Sequence, residues 1–372
     1  MRRHAWGWLL FGGAAFLLAA CTGSREVRVG VAGPMTGPEV KTGQAILHGV
    51  EMAAERANAA GGIRGKRVRV IQADDGDDPE RAEAAARELV RQKVAFVVGH
   101  VDSGCSLRAA EVYRRGGAVL ISAASTNPAL TDAKNPAVFR VCGRDDRQGR
   151  AAAVWYLQRM PGHAVAVVHD GTRYGKGLAK VFEDNYTFLS GRKPVLVEEV
   201  PRGSTDFTAL VAKLKENPPQ VVYFGGLATQ GALLLKAMRA GGVPAGFMAG
   251  DGCFGDEFVE KAGREAAEGV MATFEDDLSG RPSYREWVAS YRALYGEPGP
   301  FSLSGYTAAE AGLRGYENAV YPVSASTLED ALHRLTFDTL HGPLRFDDKG
   351  DPQESSYVMW QVVEGKYLDV GD

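Results

Sequence analysis

Short, β-branched apolar runs recur along this chain with Ala- and Leu-rich stretches between them. The runs cover 27–31, 68–73, 95–98, 118–121, 165–168, 195–200, 221–224, 247–249 and 270–274. Stretches with one charged face, such as 44–60, 79–92 and 204–215, separate them. A strand that is apolar throughout is buried on both faces, so helices must cover both sides of a parallel sheet. The alternation therefore predicts an α/β, doubly wound fold. Comparable sets of strands before residue 145 and between 165 and 274 imply two similar lobes. Local signals agree: Asp78-Pro79-Glu80 reads as an N-cap, a proline at the first helical position and an acid in the first turn. Gly61-Gly62 stops the preceding helix.

The N-terminus carries an address. Arg2 and Arg3 precede an uncharged, mostly apolar stretch over 5–20, the length of a signal peptide core and short for a bilayer span. It ends in Leu18-Ala19-Ala20-Cys21, which resembles the bacterial lipobox; residues 1–20 are then a lipoprotein signal peptide and Cys21 the lipidated N-terminus. A plain secretory signal or an uncleaved helix is the bland reading. Cys105, Cys142 and Cys253 remain, which an oxidising compartment allows to form one disulfide and one thiol. Alternatively, all three are buried small hydrophobes.

Composition narrows the function classes. With 45% hydrophobic residues in 372, the chain is not disordered, and four cysteines exclude a disulfide-stapled miniprotein. A formal charge of -3 with no basic run disfavours nucleic acid as a partner. Gly65-Lys66 and Gly175-Lys176 lack the rest of a Walker loop, and no Gly-x-Gly-x-x-Gly follows the first strand. No Gly-x-Ser-x-Gly elbow and no His-x-x-x-His pair occur, so neither a hydrolase nor a zinc site is expected. The acidic runs 74–78 and 347–351 read as capped turns, the second with Gly350 at positive φ; a calcium loop in the first lacks ordered ligand spacing.

The informative segments are polar strand ends. Residues 97–106 and 121–128 each leave a buried strand and enter a helix, carrying hydroxyls and free backbone N–H groups. Doubly wound folds bind ligands at such ends, and the donors suit a carboxylate. Asp251, after a later strand, is placed to hold an ammonium.

Collinear motifs extend over nearly the whole chain: 29–38 (VGVAGPMTGP), 61–66 (GGIRGK), Asp74-Asp75, Asp78-Pro79, Gly99-His100, Val168-His169-Asp170, 174–178 (YGKGL), Asp206-Phe207-Thr208, 223–226 (YFGG), Ala267-Glu268-Gly269 and 342–347 (GPLRFD). Together they resemble the type I periplasmic binding proteins for leucine, isoleucine and valine, the solute-binding component of branched-chain amino-acid importers. The resemblance implies two Rossmann-like lobes joined by a three-crossing hinge, with 25–142 plus 272–345 as lobe 1 and 143–271 plus 346–372 as lobe 2. It also implies a monomer, outside the cytoplasm in the periplasm or at the cell surface, that hands a small amino acid to a membrane permease of an ABC importer. No cofactor, metal or catalytic residue is implied.

Carried over by motif, Ser103, Ser125 and Thr126 bind the carboxylate, the Ala124 carbonyl, Thr126 and Asp251 the ammonium, and Tyr174 reaches over the ligand. Leu227 and Thr42 stand where the leucine-binding members have aromatic residues, which leaves the side-chain preference open. Asp77 and Asp102 replace the family's disulfide cysteines. An amide or other amino-acid-like solute, or a sensor role toward a membrane receptor, are the alternatives.

Overall fold

A computed structural model describes residues 26–371 apart from 161 and 163. Cys21 and the proposed signal peptide lie outside the described residues. The first half of the chain alternates strand and helix as β1 (Glu26–Gly33), α1 (Val40–Ala59), β2 (Arg67–Asp74), α2 (Pro79–Arg91), β3 (Phe96–Gly99), α3 (Ser103–Gly116), β4 (Val119–Ser122), α4 (Ala129–Asp132) and β5 (Val138–Arg140). These strands form a parallel sheet in the order β2-β1-β3-β4-β5.

The pattern then repeats through α5 (Asp145–Arg159), β6 (Val165–His169), α6 (Arg173–Ser190), β7 (Leu196–Glu199), α7 (Thr208–Glu216), β8 (Val221–Gly225), α8 (Ala228–Ala240) and β9 (Gly246–Ala249). A single 3-10 turn, Asp251–Cys253, follows, then α9 (Asp256–Ala262), α10 (Arg264–Ala267) and β10 (Met271–Phe274). The parallel order β7-β6-β8-β9-β10 matches the first lobe strand for strand. Next come α11 (Pro282–Tyr295), α12 (Ser302–Asn318), α13 (Ala325–Arg334) and the hairpin β11 (Phe337–Thr339) and β12 (Gly342–Leu344), whose apolar residues join the core of the first lobe. Finally β13 (Val358–Val363) and β14 (Lys366–Asp369) extend the second sheet antiparallel beyond β10.

Each sheet buries one apolar cluster on each face, as strands covered by helices on both sides require. The outer strands β2 and β7 are mostly half-buried or exposed instead, because each is an edge. Asp78 caps α2 by accepting from the N–H groups of Glu80 and Arg81, both at 2.9 Å. Asp74 ties its turn together through Met35, Thr36, Gly76 and Arg81, so the acidic run is a bonded turn. Gly350 adopts φ +91° and closes the second turn onto the Asp347 carbonyl.

The chain crosses between lobes after β5, after β10 and before β13. Two of these crossings lie later than the sequence division. The cut at 271/272 falls within β10, which pairs with β9 and β13 in the second sheet; a parallel strand must finish before the chain can leave. Beyond 345 the chain remains on the first lobe: Phe346 packs edge-on against Phe139 with ring centroids 5.0 Å apart, and the Arg140 N–H donates to the Gly350 carbonyl. Buried Asp351 then stitches two crossings together, ion-paired at 2.7 Å to both Arg140 and Arg144.

Candidate functional site

The site gathers at the carboxyl ends of parallel strands, where doubly wound sheets leave a crevice. Ser103 begins α3 after β3, and Ala124, Ser125 and Thr126 follow β4. From the other lobe, Tyr174 stands in the first turn of α6, Leu227 precedes α8, and Asp251 opens the turn after β9. All seven are buried.

The lobes are in contact around them. Asn127 donates to the Arg173 carbonyl at 3.0 Å, Lys261 to the Pro38 carbonyl at 2.9 Å, and Lys41 pairs with Glu260. Arg202, from the second lobe, donates to the Asp77 carbonyl at 2.8 Å and ion-pairs with the Asp77 carboxylate. The arrangement is a closed one.

The Tyr174 hydroxyl donates to Asp251 Oδ1 at 2.6 Å and accepts from the Gly252 N–H at 3.0 Å. Burial pushes the Asp251 carboxyl up to about 6, against the pull of the Tyr174 hydroxyl. A Cβ at Gly250 would lie 2.8 Å from the Tyr174 hydroxyl and 2.3 Å from a Leu178 methyl, so only glycine lets the chain approach. Leu227 joins Tyr174 and Leu178 in one apolar cluster and forms part of that wall.

The expected donors divide into two groups. Thr126 Oγ1 is buried with no hydrogen-bond partner, and Ser103 Oγ accepts only a long bond, 3.3 Å, from the Asn127 N–H. Ser125 is different: its hydroxyl meets Ser106 Oγ at 2.7 Å, its N–H donates to Ser122 Oγ, and its carbonyl accepts from Arg140. Ser125 therefore braces the loop from inside the lobe. The free N–H groups expected at α3 are also taken, because Asp102 caps Gly104 and Cys105 at 2.7 and 3.3 Å.

The structure adds residues that sequence reasoning missed. Asp145, the first residue of α5 at the first crossing, is fully buried, and its carboxylate has the Thr126 hydroxyl beside it without a well-formed hydrogen bond. Burial, and next the charge of Asp251, push its carboxyl well above the usual range. One turn on, the Gln148 amide leans toward the Asp251 carboxylate without a well-formed hydrogen bond, and the Tyr223 and Tyr357 hydroxyls are buried without partners. The signal in sequence was Asp145-Asp146, which reads as an ordinary acidic first turn; Asp146 is exposed and Asp145 is not. Unsatisfied buried polar groups are rare in folded proteins, so this concentration marks a space shaped for a polar guest.

Facing carboxylates and hydroxyls across two lobes can hold a small molecule bearing both a cation and an anion. Asp145 and Asp251 supply the negative side; Thr126 and Ser103 supply neutral hydroxyls. Cys105, Cys142 and Cys253 are buried free thiols, and no disulfide joins them. Asp77, Asp102 and Cys105 come within metal-ligand reach of one another, but the Arg202 guanidinium already serves Asp77 as its cation.

Fold and site together define a two-lobed solute-binding protein. The chain belongs to the periplasmic binding protein family, whose profile matches residues 26–366. It is 36% identical over 362 residues to a Leu/Ile/Val-binding protein homolog 1 of Brucella melitensis biotype 1, covering 96% of this chain and 95% of the relative. An amino acid binding protein of Pseudomonas aeruginosa is 38% identical over 345 residues, covering 92% of each chain. Among solved structures, a leucine binding protein, LivK, from Thermotoga maritima superposes with a TM-score of 0.83 at 28% identity, covering 92% of this chain and 97% of that one. These relatives are solute-binding proteins, not enzymes. Among the described residues, no helix is long and apolar enough to cross a membrane.

Proposed function

We propose that this chain is an extracytoplasmic lipoprotein that binds a small amino acid with an aliphatic or branched side chain between its two lobes and delivers it to an ABC importer. The observation that carries the reading is the buried set of unbonded polar atoms on Thr126, Asp145 and Gln148 beside Asp251. An α-amino acid supplies the missing partners: its ammonium lies against Asp145 and Asp251, and its carboxylate takes donors at Ser103 and Thr126. Both charges must be met, since a buried unpaired charge costs several kcal/mol. Because the two lobes each hold part of the ligand, binding favours closure by its differential affinity. Relatives named Leu/Ile/Val-binding and leucine binding proteins support the side-chain class.

A thermal-shift screen across amino acids, amides and aromatic acids tests the reading. A ligand at about 100 times its Kd adds about 2.7 kcal/mol of stability. Aliphatic amino acids are expected to raise Tm; a shift only from acids lacking an amine would refute the assignment. For anchoring, Cys21→Ser is expected to move the protein out of the membrane fraction, and continued sedimentation with membranes overturns that part.

A further inference from the structure

Beside the amino-acid site lies a cavity of about 860 Å³ bounded by α1, the segment after the 3-10 turn, the second crossing, α11 and the start of α12. A pocket of this size suits a ligand larger than a branched aliphatic side chain needs. We propose that the pocket continues into this second compartment, which takes the cationic end of an amino acid with an aliphatic stem, such as lysine or ornithine. The inference rests on the amino-acid reading above and extends its substrate class.

Two features of the wall point to a cation. The first is aromatic. Phe254, which directly follows the turn carrying Asp251, stacks on Phe274 with ring centroids 4.0 Å apart. Phe301 meets Phe274 edge-on at 5.3 Å, and Trp360 meets Phe254 at 5.2 Å. Ring faces attract an ammonium or guanidinium while packing its methylene stem. Trp287, also on the wall, is 5% exposed and its indole N–H has no acceptor.

The second feature is charge. Glu275 begins the second crossing with its side chain only 18% exposed. It accepts from Ser304 Oγ at 3.2 Å, and His341 Nε2 stands 3.8 Å away. No lysine or arginine is paired with it among the described contacts. Seven acidic residues line the cavity against Lys41, Arg292 and Lys366. Lys41 is turned to Glu260, and Arg292 is held by Glu297 at 2.6 and 2.8 Å. Glu275 also acts electrostatically on Asp251, so the two compartments share one field. A zwitterion brings a single ammonium to Asp145 and Asp251 and leaves Glu275 with only the His341 imidazole near it; a second cationic group matches it.

Titration calorimetry with lysine and norleucine, on the wild type and on Glu275→Gln, tests the proposal. The wild type is expected to bind lysine at least about tenfold tighter than norleucine, and Glu275→Gln to reduce that preference by about tenfold or more. A wild type that binds norleucine and prefers it overturns the second compartment while leaving the amino-acid reading intact. A preference for lysine that Glu275→Gln leaves untouched also overturns it. If neither amino acid binds, the amino-acid reading fails and this extension with it. The wild-type comparison stands alone if the variant does not fold.

Discussion

At the scale of single residues, the proposed grip on an ammonium depends most on the environment of Asp251. Its carboxylate accepts from the Tyr174 hydroxyl, with the Gln148 amide and the Gly252 N–H also close, and lies beside a second buried acid, Asp145. Asp251→Asn is expected to cost about 2–4 kcal/mol of ligand binding, read by calorimetry, while the far-UV spectrum of the empty protein stays unchanged. Protonation gives a second prediction. The Asp251 carboxyl is raised from 3.8 to about 6, so the empty folded state binds more protons than the unfolded one in that window. Its contribution to the stability of the empty protein therefore falls as pH rises from 3.8 to about 6. An ammonium ligand favours the ionised forms of Asp251 and of Asp145, whose carboxyl is raised as well, so binding releases at least one proton, and affinity weakens by at least about tenfold per pH unit below about 6. Calorimetry in buffers of different ionisation enthalpy detects that proton; affinity that is flat from about pH 5 to about pH 7 contradicts it. The buried positions of Asp251, Ser103 and Thr126 at strand ends were legible in sequence because each follows an apolar run. Asp145 was not, because nothing local separates a ligand-facing acid from its exposed neighbour Asp146.

Among elements, the α1–α12 contact is a close one between backbones. A Cβ at Gly49 would stand 2.1 Å from the Ser302 carbonyl oxygen and 2.8 Å from the Tyr306 nitrogen, backbone against backbone. In an isolated helix Gly→Ala is favourable by about 1 kcal/mol. Here Gly49→Ala is expected to destabilise by about 1–3 kcal/mol, because one helix must move and α12 carries Phe301 and Ser304 toward the cavity. Denaturant unfolding decides the sign; a stabilised variant would show that the helices part freely. Every apolar run named from sequence overlaps a strand, since continuous burial is written locally. The short β5 and strands β11 to β14 were missed. They are three to six residues long, and their pairing comes from partners far along the chain.

For the whole molecule, the central event is closure. Asp77 and Asp102 lie buried on the first lobe, and Arg202 reaches Asp77 from the second. Burial raises the Asp102 carboxyl to about 6, against the pull of the Gly104 N–H, and Asp170 across the cleft adds repulsion. The contact with Arg202 exists only when the lobes meet, so it biases the open–closed equilibrium. Arg202→Ala is expected to weaken ligand binding by about tenfold and to leave each lobe folded. Small-angle scattering should show a larger radius of gyration for the empty variant than for the empty wild type; equal radii and equal affinities would remove the latch. By itself the sequence determined two doubly wound α/β lobes, the helix caps and the polar strand ends, because periodicity and capping act over a few residues. Only the tertiary structure decided which polar groups are buried together, that Ser125 is spent inside its lobe, and that Asp145 lies beside Asp251. Burial without a partner is created between distant segments when two lobes close, and no local pattern encodes it.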